Sequence, residues 1–178
     1  AGSSIDIKSG GIIRLHNIKT VRHHTGNLVA VSRSGELTVV DDKGLEKERY
    51  KVPYGATLRV GDGDVVVGGQ VVANWDPHTH PVVTEVAGKL AFEEFIEGVT
   101  VLSQVDEVTG LTSRVVIDPK QRPSMGKDLR PMVKLLDEAG LELNIAGTEL
   151  PARYFLPSGA IVSVEDGAQV GVGDILAR

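Results

Sequence analysis

The segment WDPHTHP places Asp76, His78 and His80 close together. In an extended strand, His-x-His projects both imidazoles from one face, an arrangement that suits a metal. Pro77 and Pro81 bracket the segment, and no third ligand is near it. Structural zinc needs four ligands and catalytic zinc three, so no metal residue is assigned. His23 and His24 would point to opposite faces of an extended chain and make no site. GDGDVVVGG at 61–69 has the look of a phosphate loop, but it fits neither glycine fingerprint, and no helix follows to offer its N-terminus. Asp62 and Asp64 lack the further oxygens of a calcium loop. Glu93, Glu94 and Glu97 read as a solvated edge, since nothing nearby would raise a carboxyl pKa for acid–base work. There is no G-x-S-x-G elbow and no cysteine, which removes thiol nucleophiles, disulfides and Cys-based zinc sites. The expected catalytic, cofactor-binding and metal residues are therefore none.

The elements that would carry these residues repeat. VPYGATLRVGDGDVVVGGQVVAN at 52–74 aligns without gaps on LPSGAIVSVEDGAQVGVGDILAR at 156–178. Pro53/Pro157, Gly55/Gly159, Asp62/Asp166, Gly63/Gly167 and Gly69/Gly173 are identical, mostly turn formers that backbone geometry demands. Upstream, LTVVDDKGLEKE at 37–48 matches VKLLDEAGLELN at 133–144. Thr25-Gly26 matches Thr109-Gly110, and GIIRL at 11–15 parallels GKLAF at 88–92. The chain reads as a tandem duplication of a β-rich fold, 1–79 and 80–178. Alone, KDLRPMVKLLDEAGLEL reads as a helix capped by Asp128 and stopped at Gly140. Its counterpart at 36–48 is β-branched about an Asp-Asp-Lys-Gly turn, so hairpins are expected in both copies. The second copy carries extra residues at 118–128, expected to be a mobile surface loop, and at 146–153.

Bulk properties agree with a globular β-rich chain. Of 178 residues, 41% are hydrophobic and 24% charged, too apolar for disorder. The net charge of −5 gives no general field for nucleic acid. No run is long enough for a membrane span, no signal peptide is visible, and the lack of cysteine favours a reducing cytosol. The start AGSSIDI, without Met, and the end DILAR suggest a piece of a larger chain.

Lys43, at the tip of the 37–48 hairpin and some twenty residues before G-D-x-V-x-x-G, also resembles the attachment lysine of lipoyl- or biotinyl-carrier domains. Against this, the twin turn has Ala139, and the flanks lack the Met-Lys-Met or Asp-Lys-Ala pattern.

Longer strings carry a second resemblance. YKVPYGATLRVGDGDVVVGGQVVANWDPHTHPVVTEVAGKLAFEEFIEGVT, VDEVTGLTSRVVID and GKDLRPMVKLLDEAG resemble the largest (β′) subunit of bacterial DNA-directed RNA polymerase. In particular they resemble the insertion in the trigger loop of proteobacterial β′, covering nearly all the chain. The resemblance implies tandem sandwich-barrel hybrid motifs in a cytoplasmic, nucleoid-associated enzyme. Implied neighbours are the β′ trigger loop and jaw, the β lobe and other core subunits, with transcript-cleavage factors and downstream DNA near, and no membrane. The whole subunit would use Mg²⁺ and Zn²⁺. This chain has no NADFDGD-like string and no cysteine cluster, so no cofactor is expected in it. It would modulate trigger-loop opening and closing, and hence elongation, pausing and transcript cleavage.

Overall fold

The computed structural model describes Ser3–Arg178, which divide into two compact units, one ending at Thr79 and one spanning His80–Arg178. The first contains β1 (Ser3–Asp6), β2 (Gly11–His16), β3 (Thr20–Arg22), β4 (Leu28–Ala30), β5 (Gly35–Val40), β6 (Glu46–Val52), β7 (Thr57–Leu58), β8 (Val65–Val66) and β9 (Val71–Trp75). They form two antiparallel sheets ordered β1-β9-β7-β4-β3 and β6-β5-β2-β8. The second contains β10 (Val82–Val83), β11 (Gly88–Glu93), β12 (Val101–Val105), β13 (Thr112–Val116), β14 (Met132–Leu136), β15 (Arg153–Phe155), β16 (Ile161–Val162), β17 (Gln169–Val170) and β18 (Ile175–Ala177). Its sheets run β15-β14-β11-β17, β12-β13-β16 and β10-β18. Ile161 and Arg178 exchange backbone hydrogen bonds of 2.7 and 3.0 Å, so the last two sheets join edge to edge. The order β10-β18-β16-β13-β12 then repeats β1-β9-β7-β4-β3. The chain is all-β, as its composition and turns suggest.

The repetition extends to register. Gly11 faces Val66 as Gly88 faces Val170, Ile12 faces Val40 as Lys89 faces Leu136, and Leu37 faces Tyr50 as Val133 faces Tyr154. The residues at 132–136 form β14 and not a helix, because Val133 and Leu135 alternate inward at period two. Gly11 and Gly88 sit where the strands pack too closely for a side chain. A Cβ on Gly11 would lie 2.5 Å from Val40 O, and one on Gly88 2.8 Å from Leu136 O.

Each unit encloses its own core. Ile13, Leu37, Val39, Val52, Leu58 and Val72 fill the first, and Leu90, Val133, Leu135, Leu156, Val162 and Leu176 take the same places in the second. On β5 the inward pair is Leu37 then Val39, and on β14 it is Val133 then Leu135. The exchange keeps the strand's inward volume, the kind of swap that cores tolerate best.

Three local features depart from the sequence reading. The extra residues of the second unit lie at 143–151 and not at 146–153. In the first unit β5 and β6 are interrupted by a β-bulge at Lys47, between the pairs Val39–Glu48 and Val40–Glu46. In the second, Leu136 still pairs with Glu142, and Leu135 N donates to Ala152 O at 3.2 Å. Residues 143–151 thus replace one bulged residue with a small hairpin, closed by the Asn144–Pro151 bridge. Arg153-Tyr154 then matches Arg49-Tyr50, an identity the offset of the downstream repeat already contains.

The stretch 118–128 lies at the surface, as expected of a loop, but it is not without structure. It makes 3₁₀ turns at Pro119–Gln121 and Ser124–Gly126, and its Arg122 is buried. Arg122 donates to the carbonyls of Ile117, Gly126 and Leu129 at 2.8, 3.1 and 2.7 Å, tying the stretch down.

The Thr-Gly turns do close equivalent hairpins, but the second hairpin is longer in both arms. Ala30 N donates to Ala56 O, and Val116 N to Ala160 O. Val116 is therefore the partner of Ala30, two residues farther from its Thr-Gly turn.

Candidate functional site

The residues singled out for chemistry mostly prove to be turn builders. Asp62 Oδ1 accepts Leu15 N at 2.9 Å, and Asp166 Oδ1 accepts the equivalent Phe92 N at 2.8 Å. Asp64 Oδ2 accepts Gly61 N at 2.8 Å. Asp62 and Asp166 each stand in for a ladder partner on β2 and β11, and Asp64 closes the turn before β8, so backbone geometry accounts for these residues.

Lys43 lies on the exposed turn between β5 and β6. Asp41 Oδ1 accepts the N–H groups of Lys43 and Leu45 at 2.9 and 2.8 Å, and Gly44 has φ +81°. The twin turn is the same: Asp137 Oδ1 accepts Ala139 N and Leu141 N, both at 2.9 Å, and Gly140 has φ +83°. The tip is set by Asp and Gly, whatever side chain stands between them.

His78 lies in a turn and not in a strand, its N–H donating to Asp76 Oδ1 at 2.9 Å. The strand geometry that would align it with His80 is absent. His23 and His24 are likewise in a turn, with ring centroids 4.0 Å apart, so they do not diverge as an extended chain would make them.

The glutamates at 93–97 are individually engaged. Glu93 pairs with Lys134 at 2.7 Å, Glu94 Oε2 accepts Arg130 N at 2.6 Å, and Glu97 holds Ser103 through its N–H and its hydroxyl. Glu94 has φ +59°, and Asn17, its counterpart in the first unit, has φ +54°. A left-handed residue at this point belongs to the fold, not to one unit's chemistry.

A depression of about 300 Å³ lies on the outer face of β2 and β5 in the first unit. Ile12 and Val40 line it beside Arg14, His16, Thr38 and Glu46, and His16 Nε2 is 2.9 Å from Thr38 Oγ1. The Arg49 guanidinium, hydrogen-bonded to Glu46, holds that carboxyl below its usual range. The same direction holds for Glu97, through the Ser103 N–H and hydroxyl, for Asp106, through Thr109 N and Val108 N, and for Glu142, through Arg153. These carboxylates are held ionised, the opposite of what a general acid requires.

One polar cluster is built differently in the two units. In the first, Glu48 accepts from Lys8 N, Ser9 N and Ser9 Oγ, and Tyr50 OH donates to it. In the second, Ala152 replaces Glu48, and Tyr154 OH accepts Glu85 N directly at 2.9 Å. Both anchor the turn after the first strand to the same tyrosine position. The 104-residue offset pairs Tyr50 with Tyr154 in the sequence, but the partners of the two hydroxyls show only in the fold.

Comparison with known proteins says what the chain is similar to. No family model matches the chain. Curated relatives match it along its whole length: 64% identity over 98% of the chain in Nitrosococcus oceani, 58% over 99% in Methylococcus capsulatus and 58% over 100% in Pseudomonas paraeruginosa. Each is a DNA-directed RNA polymerase subunit beta′. The chain is homologous to a segment of RNA polymerase β′. It spans only 12–13% of the length of these β′ relatives. Among the described residues, no helix is long and apolar enough to cross a membrane.

Proposed function

We propose that this chain is a non-catalytic insertion domain of RNA polymerase β′, built from two sandwich-barrel hybrid motifs at 1–79 and 80–178. The observation that carries the proposal is identity of 57–64% along the whole chain to a small segment of β′. The side chains support a structural role: the turn aspartates serve backbone geometry, and the perturbed carboxylates are locked as anions. In this reading the Mg²⁺ and Zn²⁺ of a polymerase subunit are held by other parts of β′. Zinc would find no cysteine, and Asp62 and Asp64 spend an oxygen each on backbone N–H groups. No catalytic step is assigned to this chain, and the nucleotidyl transfer belongs to the rest of the enzyme.

In this reading the domain rides on the trigger loop in the cytoplasmic, nucleoid-associated enzyme. Its surroundings are the β′ jaw, the β lobe and other core subunits, with transcript-cleavage factors and downstream DNA near. A domain that contacts them differently in open and closed states biases the equilibrium by that difference, typically about 1–3 kcal/mol, or roughly 5–150-fold in population. That range is enough to tune elongation, pausing and cleavage. A carrier role for Lys43 is not favoured, because Ala139 occupies an identical turn, and intact mass would reveal any lipoyl or biotinyl increment.

The test is a polymerase whose β′ lacks this segment, with the flanking chain rejoined. RNA synthesis should persist while pause durations and cleavage rates change, since no transition-state contact is lost. An assembled enzyme that makes no RNA would refute the non-catalytic assignment. One unchanged in rate, pausing and cleavage would refute the modulatory role.

A further inference from the structure

The two units treat one exposed sheet edge differently. In the first, the edge strand β3 is short and ends on Arg22, whose guanidinium donates to Gly26 O at 2.7 Å. Short, charged edges resist pairing with another chain. In the second, the corresponding β12 runs Val101–Val105 with the sequence VLSQV, longer and without charge. Leu102 and Val105 are exposed on it, and Val108 and Leu111 are exposed on the turn beyond.

The backbone of β12 alternates. Thr100 O accepts Ile117 N, and Asp106 N donates to Leu111 O, so the even-numbered residues bond toward β13. The groups of Val101, Ser103 and Val105 point outward. Val101 is occupied by the preceding turn, through Val101 N to Ile96 O and Gly98 N to Val101 O. Ser103 is occupied by a side chain: Glu97 Oε1 accepts its N–H at 2.9 Å, and Oε2 accepts its hydroxyl at 2.8 Å. Among the described residues no hydrogen bond is made by Val105 N or O.

Glu97 comes from residues the first unit lacks. Lys19 O accepts Val31 N as Thr100 O accepts Ile117 N, and Asn17 and Glu94 share the left-handed position. Residues 96–99 are therefore extra, and they accompany the lengthened hairpin. We infer that Glu97 is an edge guard: by holding Ser103 it keeps β12 from adding a strand from a second copy of this chain. An added antiparallel strand would need the Ser103 and Val105 outward groups together, and the carboxylate removes the first.

Hydrogen exchange and sedimentation of the 178-residue chain test this. In the unaltered protein, the Ser103 amide should be protected at least about tenfold more than that of Val105, each measured against its intrinsic exchange rate, the worth of one bond to a charged acceptor. Equal protection would overturn the inference without any variant. Glu97→Ala should lose that protection when dilute and self-associate when concentrated, with both amides then protected. Adding Val105→Lys should return it to the sedimentation of the parent. A folded Glu97→Ala that does not exchange faster, or that does not associate, would overturn the guard. So would association that survives Val105→Lys.

Discussion

Glu48 shows how one residue can make twin units respond differently to acid. Burial opposes its ionisation, but Tyr50, the N–H groups of Lys8 and Ser9, and the Ser9 hydroxyl outweigh it, and its pKa falls from 4.5 to about 2. Tyr50 moves the other way, to about 12, because its hydroxyl is bonded to that carboxylate and partly buried. A depressed carboxyl stabilises the fold above its unfolded pKa and loses that contribution as pH falls through the folded value. The window here runs from about pH 4.5 down to about 2. Because the cluster is partly solvated, the contribution is discounted to about 1–2 kcal/mol. The only tryptophan, Trp75, packs against the first core and reports on that unit. Urea unfolding followed by its fluorescence should show stability dropping across this window. Glu48→Gln should be less stable at pH 6 and flatter with pH. A variant as acid-sensitive as the parent would place the effect elsewhere.

At the scale of elements, the 143–151 hairpin tests whether the second unit still contains the first unit's simpler plan. Replacing it with a single Lys should restore a bulge like that at Lys47, leaving β11, β14 and β15 paired. Leu143 and Ile145 pack against the core from this hairpin, so a loss of about 1–3 kcal/mol is expected in guanidinium unfolding by circular dichroism. Collapse of the β signal would mean that the hairpin is essential to the sheet. This is also where sequence reading was weakest. Repeated Gly and Asp residues made the turns legible because geometry restricts which residues can fill them. The hairpin has no such counterpart in the first unit, so its bounds were misplaced, and Arg153, though in step with Arg49, was counted among the extra residues. Arg122 was equally invisible, since a buried arginine held by carbonyls has no sequence pattern. The reading of 132–136 succeeded only by comparison with its twin, as its composition alone suits a helix. The candidate site residues were legible as types, but their use in turns depended on partners far along the chain, such as Leu15 for Asp62.

For the whole molecule, each unit owns a core and a complete set of sheet pairings. Chains spanning 1–79 and 80–178 should each fold when produced separately, with a β-type circular dichroism spectrum and a cooperative thermal transition. A fragment that stays unfolded would show that its core is insufficient alone. The duplication has a further consequence, which lies in the order of two inward residues. A genetic crossover between the repeats, falling between the positions of Leu37 and Val39, would yield reciprocal products. One joins Leu37 to Leu135 and carries an extra methylene on that strand, while the other joins Val133 to Val39 and lacks one. The first faces overpacking of about 1–3 kcal/mol and the second a small void of about 1 kcal/mol. The compensating exchange on β5 and β14 therefore penalises the chimeric unit in both products, the one shortened to a single unit and the one lengthened to three.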